Sequence, residues 1–425
     1  MLPTHLDLSI EKPAAGGRMI ARHEGQIALV AGAIPGERVR VRVERTSKGV
    51  IYATAVDVLE ASSDRRPVEH DWLCGGNVYA HVAYARQLQI KAAIVADAFA
   101  RIANVPLAAA PPITGSEERG YRMRARLHVR AGRLGFFREG THELCDPAAT
   151  GQLLPQTIDL LGRLEAALAR EDVRGVSSIE LSENMPGDQR ALHMEVERPL
   201  DLTALAPLAG LTGLSYSGPC GGSGATVFGS PVVSDRVLIV SDDGEHAMTL
   251  QRSVRAFFQA NRYLLPTLVA RVVSLVGAGP VIDLYAGVGL FGVALAACGR
   301  RDIIAVEGDR PGAQDLKANA APYGAALATA HQSVETFLSR RLSAPDTTLI
   351  VDPPRTGMSR DAMAGIVASG ARAIVYVSCD VATLARDVRR LLDAGYTLEH
   401  IEAFDLFPNT AHVETFVTLR SSRAA

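Results

Sequence analysis

Ser378-Cys379-Asp380 closes an apolar run, Ala373-Ile374-Val375-Tyr376-Val377, and opens a helical one, Val381-Ala382-Thr383-Leu384-Ala385. The pattern predicts a strand that ends at a thiol, with a helix starting just beyond it. Open α/β sheets bind ligands at that junction, and a helix N-terminus lowers a thiol's pKa. Cys379 is therefore expected to be partly ionised, exposed and nucleophilic. The bland alternative is a small buried hydrophobe, the usual state of a free cysteine.

Two further segments have the same strand-then-loop character. Val281-Ile282-Asp283-Leu284-Tyr285-Ala286-Gly287-Val288-Gly289-Leu290-Phe291-Gly292 reads as a buried strand, a glycine turn and a helix starting near Leu290. Gly-x-Gly-x-x-Gly spacing is weak evidence by itself. An acidic residue ending the next apolar run, Ile303-Ile304-Ala305-Val306-Glu307, sharpens it, because a carboxylate there can accept bonds from ribose hydroxyls. Asp-x-x-x-Gly-x-Gly followed by this glutamate fits S-adenosylmethionine better than a nicotinamide dinucleotide, with Asp283 near the methionine end. Leu349-Ile350-Val351-Asp352-Pro353-Pro354-Arg355 ends another strand at a carboxylate, and its two prolines stiffen the loop. Methyltransferases acting on exocyclic amines carry an aromatic residue where Arg355 stands. The arginine argues against that substrate, and Asp352 is placed to bond the N3–H of a uracil ring.

The rest of the chain must position these loops. Its 425 residues, about half hydrophobic, allow two or three domains with a large core. No apolar run reaches the roughly 18 residues of a membrane span. The start, Met1 to Asp7, lacks the basic-then-apolar order of a signal peptide. Five scattered cysteines suit a reducing cytoplasm better than a disulfide framework. Strand-like runs Ile27–Val30, Arg38–Val43 and Val50–Val56, separated by turns at Gly16-Gly17, Pro35-Gly36 and Lys48-Gly49, predict a small β-barrel before a linker at Ala61–Asp64. A helix is expected over residues 81–104 and another over Thr157–Ala169. Gly221-Gly222-Ser223-Gly224 reads as a flexible loop.

A net charge of −2 gives no general attraction for nucleic acid, so local charge matters more. From Arg119 to Arg138 there are seven arginines and no acidic residue. Within that stretch Arg122, Arg124, Arg126, His128 and Arg130 alternate with apolar residues. Period-two alternation puts them on one face of a strand. We expect that face to meet phosphates rather than serve as a charged guard on an edge strand.

Taken together, these segments resemble the RNA uracil-5-methyltransferase family. The resemblance rests on Ala256-Phe257-Phe258-Gln259-Ala260-Asn261, Asp283 to Gly289, Asp352-Pro353-Pro354-Arg355, Ser378-Cys379-Asp380 and His412-Val413-Glu414-Thr415, in family order. It implies an α/β chain: a Rossmann-like S-adenosylmethionine methyltransferase domain over residues 251–425, behind an OB-like barrel and a mostly antiparallel central domain. The barrel, residues 1–62, resembles a TRAM domain, and such barrels bind nucleic acid. The central domain, residues 63–250, would bind RNA, with helix 81–104 packed on the catalytic domain. Carried onto matching positions, the resemblance makes Cys379 the nucleophile and Glu414 the base that takes the C5 proton. Gln259, Tyr285, Gly287, Glu307 and Ser333 would contact S-adenosylmethionine, and Asp352 both cofactor and base. Arg122, Arg124 and Arg126 would contact RNA.

The expected reaction is methylation of C5 of a uridine, in ribosomal RNA ahead of transfer RNA. Cytosine C5 methylation and a non-catalytic RNA-binding or folding module are the alternatives. Many relatives also hold an iron–sulfur cluster on four cysteines, three of them spaced Cys-x5-Cys-x2-Cys. Here Val68, Cys74 and Asn77 stand at the trio and Gly151 at the fourth position, with Cys145 six residues earlier. No cluster and no other metal is expected, and the neighbouring fold should hold by packing alone.

Overall fold

The computed structural model describes residues 4–68, 70–170, 173–198, 200–205, 208–218, 225–241, 244–340 and 346–422; the glycine-rich loop expected at 221–224 lies outside them. The chain opens with five strands, β1 (His5–Pro13), β2 (Met19–His23), β3 (Gln26–Ala31), β4 (Arg38–Ser47) and β5 (Val50–Glu60). They close a barrel in the order β1-β2-β3-β5-β4. Alternation drives closure: Val39 and Val41 point inward while Arg38, Arg40 and Arg42 stay outside.

Helix α1 (Tyr84–Ala98) follows and continues as one π turn, Phe99–Ala103, ended by Asn104 in a left-handed conformation (φ 55°). The short strand β6 (Ile113–Thr114) leaves this region to edge the C-terminal sheet. The central sheet contains β7 (Arg124–Arg130), β8 (Arg133–Phe137), β9 (Leu144–Cys145), β10 (Val176–Glu183), β11 (Arg190–Val196), β12 (Gly213–Ser217) and β13 (Ala225–Gly229). Its order is β13-β12-β11-β10-β7-β8-β9, antiparallel except for β11–β12, and helix α2 (Pro155–Arg170) packs its leucines into the same core. A long hairpin, β14 (Val232–Ser241) and β15 (Gly244–Ser253), comes next. Its inner residues Val237, Ile239, Met248 and Leu250 share a core with the helices of the C-terminal part, although most of it precedes the division at residue 250 expected from sequence.

The last part alternates α3 (Leu265–Leu275), β16 (Val281–Leu284), α4 (Leu290–Ala297), β17 (Ile303–Glu307), α5 (Arg310–Ala320), β18 (Leu327–His331), α6 (Val334–Arg340), β19 (Thr348–Val351), α7 (Arg360–Ser369), β20 (Ala373–Ser378), α8 (Val381–Asp393), β21 (Tyr396–Phe404) and β22 (Glu414–Ser421). The sheet runs β18-β17-β16-β19-β20-β22-β21-β6, parallel from β18 to β20 and antiparallel at β22. Strands β16 and β19 are buried at every position, as expected of a sheet covered on both faces. Strand order reverses between β16 and β19, which puts the ligand crevice outside their carboxyl ends. Among the described residues no helix is long and apolar enough to cross a membrane.

The N-terminal half grips the loop that leads into β22. Lys91 Nζ on α1 donates to Asp405 Oδ1 at 2.5 Å and to the Phe407 carbonyl at 3.1 Å, the ion pair being fully buried. Gln87 Nε2 and Arg66 Nη2 donate to Asn409 Oδ1 at 2.8 and 2.7 Å. Charges taken this far out of water persist only when bonded so directly, and here they fix the segment that delivers Glu414.

Candidate active site

Four neighbouring strands end at one edge of the catalytic sheet: β17 at Glu307, β16 ahead of Tyr285 to Gly287, β19 ahead of Asp352, and β20 ahead of Cys379. Gln259, Tyr285, Gly287 and Asp352 line a single cavity of about 50 Å³, with Phe257, Phe258, Val288 and Phe291. Gln259 Nε2 donates to Asp352 Oδ2 at 3.4 Å. Gly287 N–H donates to Glu307 Oε2 at 2.7 Å, and Asp309 N–H to Glu307 Oε1 at 2.6 Å, so that glutamate brackets the glycine loop. Gly287 has φ +55°, and a Cβ there would meet only the Phe257 carbonyl, at 3.9 Å, which leaves the backbone open to a ligand. Tyr285 is held at φ 61°, a costly conformation for a side-chain-bearing residue and one that concentrates at ligand sites.

Asp283 is completely buried and accepts from Gly292 N–H at 2.9 Å, tying β16 to the first turn of α4. Its Oδ1 has no partner, and burial pushes its carboxyl up to about 8. Ser333 is the outlier. Exposed beside Gly308, it caps α6 through Thr336 N–H at 3.2 Å and does not line the cavity.

Beside the cavity lies a second cluster. Glu414, the first residue of β22, is buried, and Thr415 pairs with Ser378, the residue before Cys379. Glu414, Asp352 and Arg355 all act electrostatically on the Cys379 thiol. Burial, then the Glu414 and Asp352 carboxylates, pushes the thiol up to about 12, while Arg355 pulls it down. The sequence expectation of a partly ionised, exposed thiol is therefore corrected: Cys379 is half-buried, and its surroundings favour the thiol over the thiolate. The helix N-terminus is real, but it is outweighed by burial and two nearby acids. Burial likewise lifts Asp352 to about 7 and Glu414 well above the usual range. Sequence reasoning gave Arg355 no positive role and did not single out Phe257. That phenyl is 64% exposed at the cavity rim, with the Arg124 guanidinium 5.8 Å above its ring.

The family model for tRNA (uracil-5-)-methyltransferases matches residues 341–422, and that for the TRAM domain residues 4–56. The chain is 31% identical to a 23S rRNA (uracil(1939)-C(5))-methyltransferase from Pseudomonas fluorescens, over 98% of this chain and 92% of that one. The chain belongs to the RNA uracil-C5-methyltransferase family. A second 23S rRNA (uracil(1939)-C(5))-methyltransferase, from Halomonas elongata, is also 31% identical, over 99% and 90% of the two chains. The fold matches the crystal structure of Pyrococcus abyssi tRNA (uracil-54, C5)-methyltransferase in complex with S-adenosyl-L-homocysteine, with a TM-score of 0.75 at 23% identity over 97% of this chain and 100% of that one. This is thus an S-adenosylmethionine-dependent methyltransferase acting on RNA. The orphaned Asp283 Oδ1 and the open Gly287 backbone fit that cofactor.

An iron–sulfur cluster, found in many members of the uracil-C5-methyltransferase family, does not fit the residues of this one. Val68, Asn77 and Gly151 converge on one pocket with Arg66 and Glu118, but none of the three is a ligand. Cys74 is joined to Cys145 in a disulfide across 71 residues. Four-thiolate ligation needs ligands that are absent here, and among the described residues no metal-binding cluster of His, Cys, Asp and Glu exists. The disulfide overturns the expectation that this region holds by packing alone. The backbone explains it: Cys74 bridges Arg138, Gly75 N–H donates to the Phe137 carbonyl at 3.0 Å, and Cys145 pairs with Phe136. Both thiols are thereby delivered to one hairpin, although nothing in their spacing signals it.

The arginine face is also less open than the sequence suggested. Arg124 and Arg126 do alternate with buried Ala125 and Leu127. Both have acidic partners: Arg124 lies 3.5 Å from Glu180, and Arg126 is 2.7 Å from Glu195. Arg122 precedes β7 and turns inward, donating to Gln152 Oε1 at 2.6 Å and the Arg124 carbonyl at 2.8 Å. It is not part of a phosphate-facing row, because the bridge to Asn261 takes the chain off the strand there.

Proposed function

We propose that this protein methylates C5 of one uridine in ribosomal RNA through a covalent Cys379–C6 adduct. The observation that carries the reading is the meeting of Cys379, Glu414, Asp352 and Arg355 at the carboxyl edge of the sheet. Uracil C5 is a poor nucleophile, so Cys379 must first release its proton to solvent and add to C6 as the thiolate, making C5 enolate-like. Arg355 favours the thiolate, and Asp352 accepts the N3–H that distinguishes uracil from cytosine. When bound, the cofactor supplies an electrophilic methyl group to C5. Glu414 then takes the C5 proton, and the sulfur is expelled as the ring regains its double bond. Burial that keeps Glu414 basic suits it to that proton transfer. Phe257 supplies an aromatic face to a base that must leave its stack to reach Cys379.

Gln259, Tyr285, Gly287 and Glu307 would hold the cofactor, and Ser333 would be an outer contact. Arg124 and Arg126 would meet RNA phosphates by exchanging their acidic partners. Ribosomal RNA is favoured because relatives 31% identical over nearly the whole chain carry that activity in their names. A cytoplasmic setting follows from that substrate. The test is methyl transfer from labelled S-adenosylmethionine into separate pools of unmodified ribosomal and transfer RNA, followed by nucleoside analysis. 5-Methyluridine in the ribosomal pool is expected. Label confined to transfer RNA would reassign the substrate, and 5-methylcytidine would overturn the reading of Asp352.

A further inference from the structure

Arg355 is a cation that acts on Cys379, yet its side chain is exposed on a loop. Something must hold that loop over the thiol. The Pro354–Met358 turn lies against the first two turns of α8, the helix that begins immediately after Cys379. Thr383 Oγ1 donates to the Arg355 carbonyl at 3.3 Å, and Arg386 Nη2 to the Thr356 carbonyl at 3.2 Å. Gly357, at φ +73°, approaches so closely that a Cβ would overlap the Arg386 guanidinium and lie 2.8 Å from Asp387 Oδ2. Asp387 is completely buried at the centre of this contact. Its Oδ2 accepts from Met358 N–H at 3.0 Å and from the Tyr376 hydroxyl at 2.9 Å. Its Oδ1 accepts from Arg386 Nε at 2.9 Å, with Arg390 at 3.5 Å. Tyr376 sits in β20, three residues before Cys379.

We propose that Asp387 is a positioning residue that locks the Arg355 loop to the strand and helix flanking Cys379, setting how strongly Arg355 stabilises the thiolate. The proposal rests on the uracil methyltransferase reading for its significance, but not for its test. One carboxylate oxygen joins three pieces: the loop through Met358, the strand through Tyr376, and the helix that carries Asp387 itself. A buried carboxylate with this many donors is rigid, and removing it frees the turn. Misplacing a reacting or stabilising group by about 1 Å costs up to about 100-fold in rate. The charged groups facing the thiol are Glu414, Asp352 and Arg355. Those facing Asp387 are Tyr376, Arg386 and Arg390, with Tyr285 nearby.

The test reads the thiol directly, without RNA or cofactor. Cys379 carboxamidomethylation by iodoacetamide is followed peptide by peptide at a fixed mildly alkaline pH, with Cys298 as the internal reference. Asp387→Asn should slow Cys379 about fivefold to tenfold, the fall in thiolate fraction expected for up to one pH unit. Arg355→Gln should slow it at least as much, and the double variant should be no slower than Arg355→Gln alone, since one acts through the other. In methyl transfer, Asp387→Asn should lower kcat about tenfold with KM for S-adenosylmethionine unchanged. An unchanged alkylation rate, or one additive with Arg355→Gln, would reduce Asp387 to a structural role. Should Asp387→Asn fail to fold, Thr383→Val decides by the same readout, with a smaller slowing in support and none against. A wild-type enzyme that alkylates as expected but methylates no RNA would sink the proposed function and leave this inference standing.

Discussion

Buried charge is handled in opposite ways in two regions of this molecule. Where the end of β10 meets the β14–β15 hairpin, Glu183 is fully buried but receives Thr157, Arg190 at 2.6 Å and Arg262, while Arg252 pairs with Asp235 at 3.0 Å. At the carboxyl edge of the catalytic sheet, Asp283 and Glu414 are buried and Asp352 is half-buried, all with few donors, and each is lifted towards neutrality by desolvation. The first arrangement is what fold stability requires, since an unpaired buried charge is costly. The second keeps groups poised to exchange protons at working pH, which is why such sites mark chemistry. Paired burial suits a scaffold, and under-paired burial suits proton exchange.

The largest effects should come from the under-paired edge. Cys379→Ala should lower methyl transfer by more than about 10⁴-fold, with RNA affinity and melting temperature nearly unchanged. Glu414→Gln should lower turnover by about 10²–10⁴-fold in a different way: adduct forms and persists, so a protein–RNA band survives on a denaturing gel. Equal loss of RNA binding in Cys379→Ala would make that thiol a structural residue and erase the contrast.

The scaffold should respond in stability instead. In non-reducing buffer Cys145→Ser should destabilise the protein by about 4 kcal/mol, the loop-closure value for a bridge across some 71 residues. Reductant should remove the difference between variant and parent. Chemical denaturation followed beside methyl transfer checks this, and an activity loss without a stability loss would break the comparison.

Asp283 gives the edge its own pH signature. Its folded value, about 8, lies above the ordinary 3.8, so the folded state keeps a proton that the unfolded state releases. That contribution is full below about pH 4 and is lost as pH rises towards 8. Asp352 and Glu414 act with the same sign. Asp283→Asn should therefore gain on the parent by about 2 kcal/mol between pH 5 and pH 7.5, taking about 1.4 kcal/mol per unit and allowing for partial relaxation. Melting curves of both proteins without cofactor measure it. A constant difference across that range would mean that Asp283 is already ionised in the folded state.

Much of this edge was legible in sequence, because strands buried on both faces are continuous apolar runs and the residue ending each run must lie at the ligand rim. Asp352, Glu307 and Cys379 are found that way. Glu414 is not: it starts an antiparallel strand, and only the family pattern selected it. What sequence missed depends on three-dimensional meeting. The disulfide needs a hairpin that brings Cys145 back to Cys74. The thiol's raised pKa needs Glu414 and Asp352 beside it. Alternation at β7 correctly gave a polar face, but Glu180 and Glu195 come from β10 and β11, more than 50 residues on, and they change what that face offers.

Arg126 tests which description of that face holds, and its effect should be the smallest. It is half exposed and pairs with Glu195 at 2.7 Å, so Arg126→Gln should change stability by less than about 1 kcal/mol. If Arg126 exchanges its carboxylate for a phosphate on binding, the slope of log affinity against log salt should fall by about 0.7–0.9, one phosphate contact's worth. Binding of a ribosomal RNA fragment measured across a salt series gives that slope. An unchanged slope would place Arg126 with the paired charges of the scaffold, and would move the RNA path towards Arg124, Phe257 and the rim of the cavity.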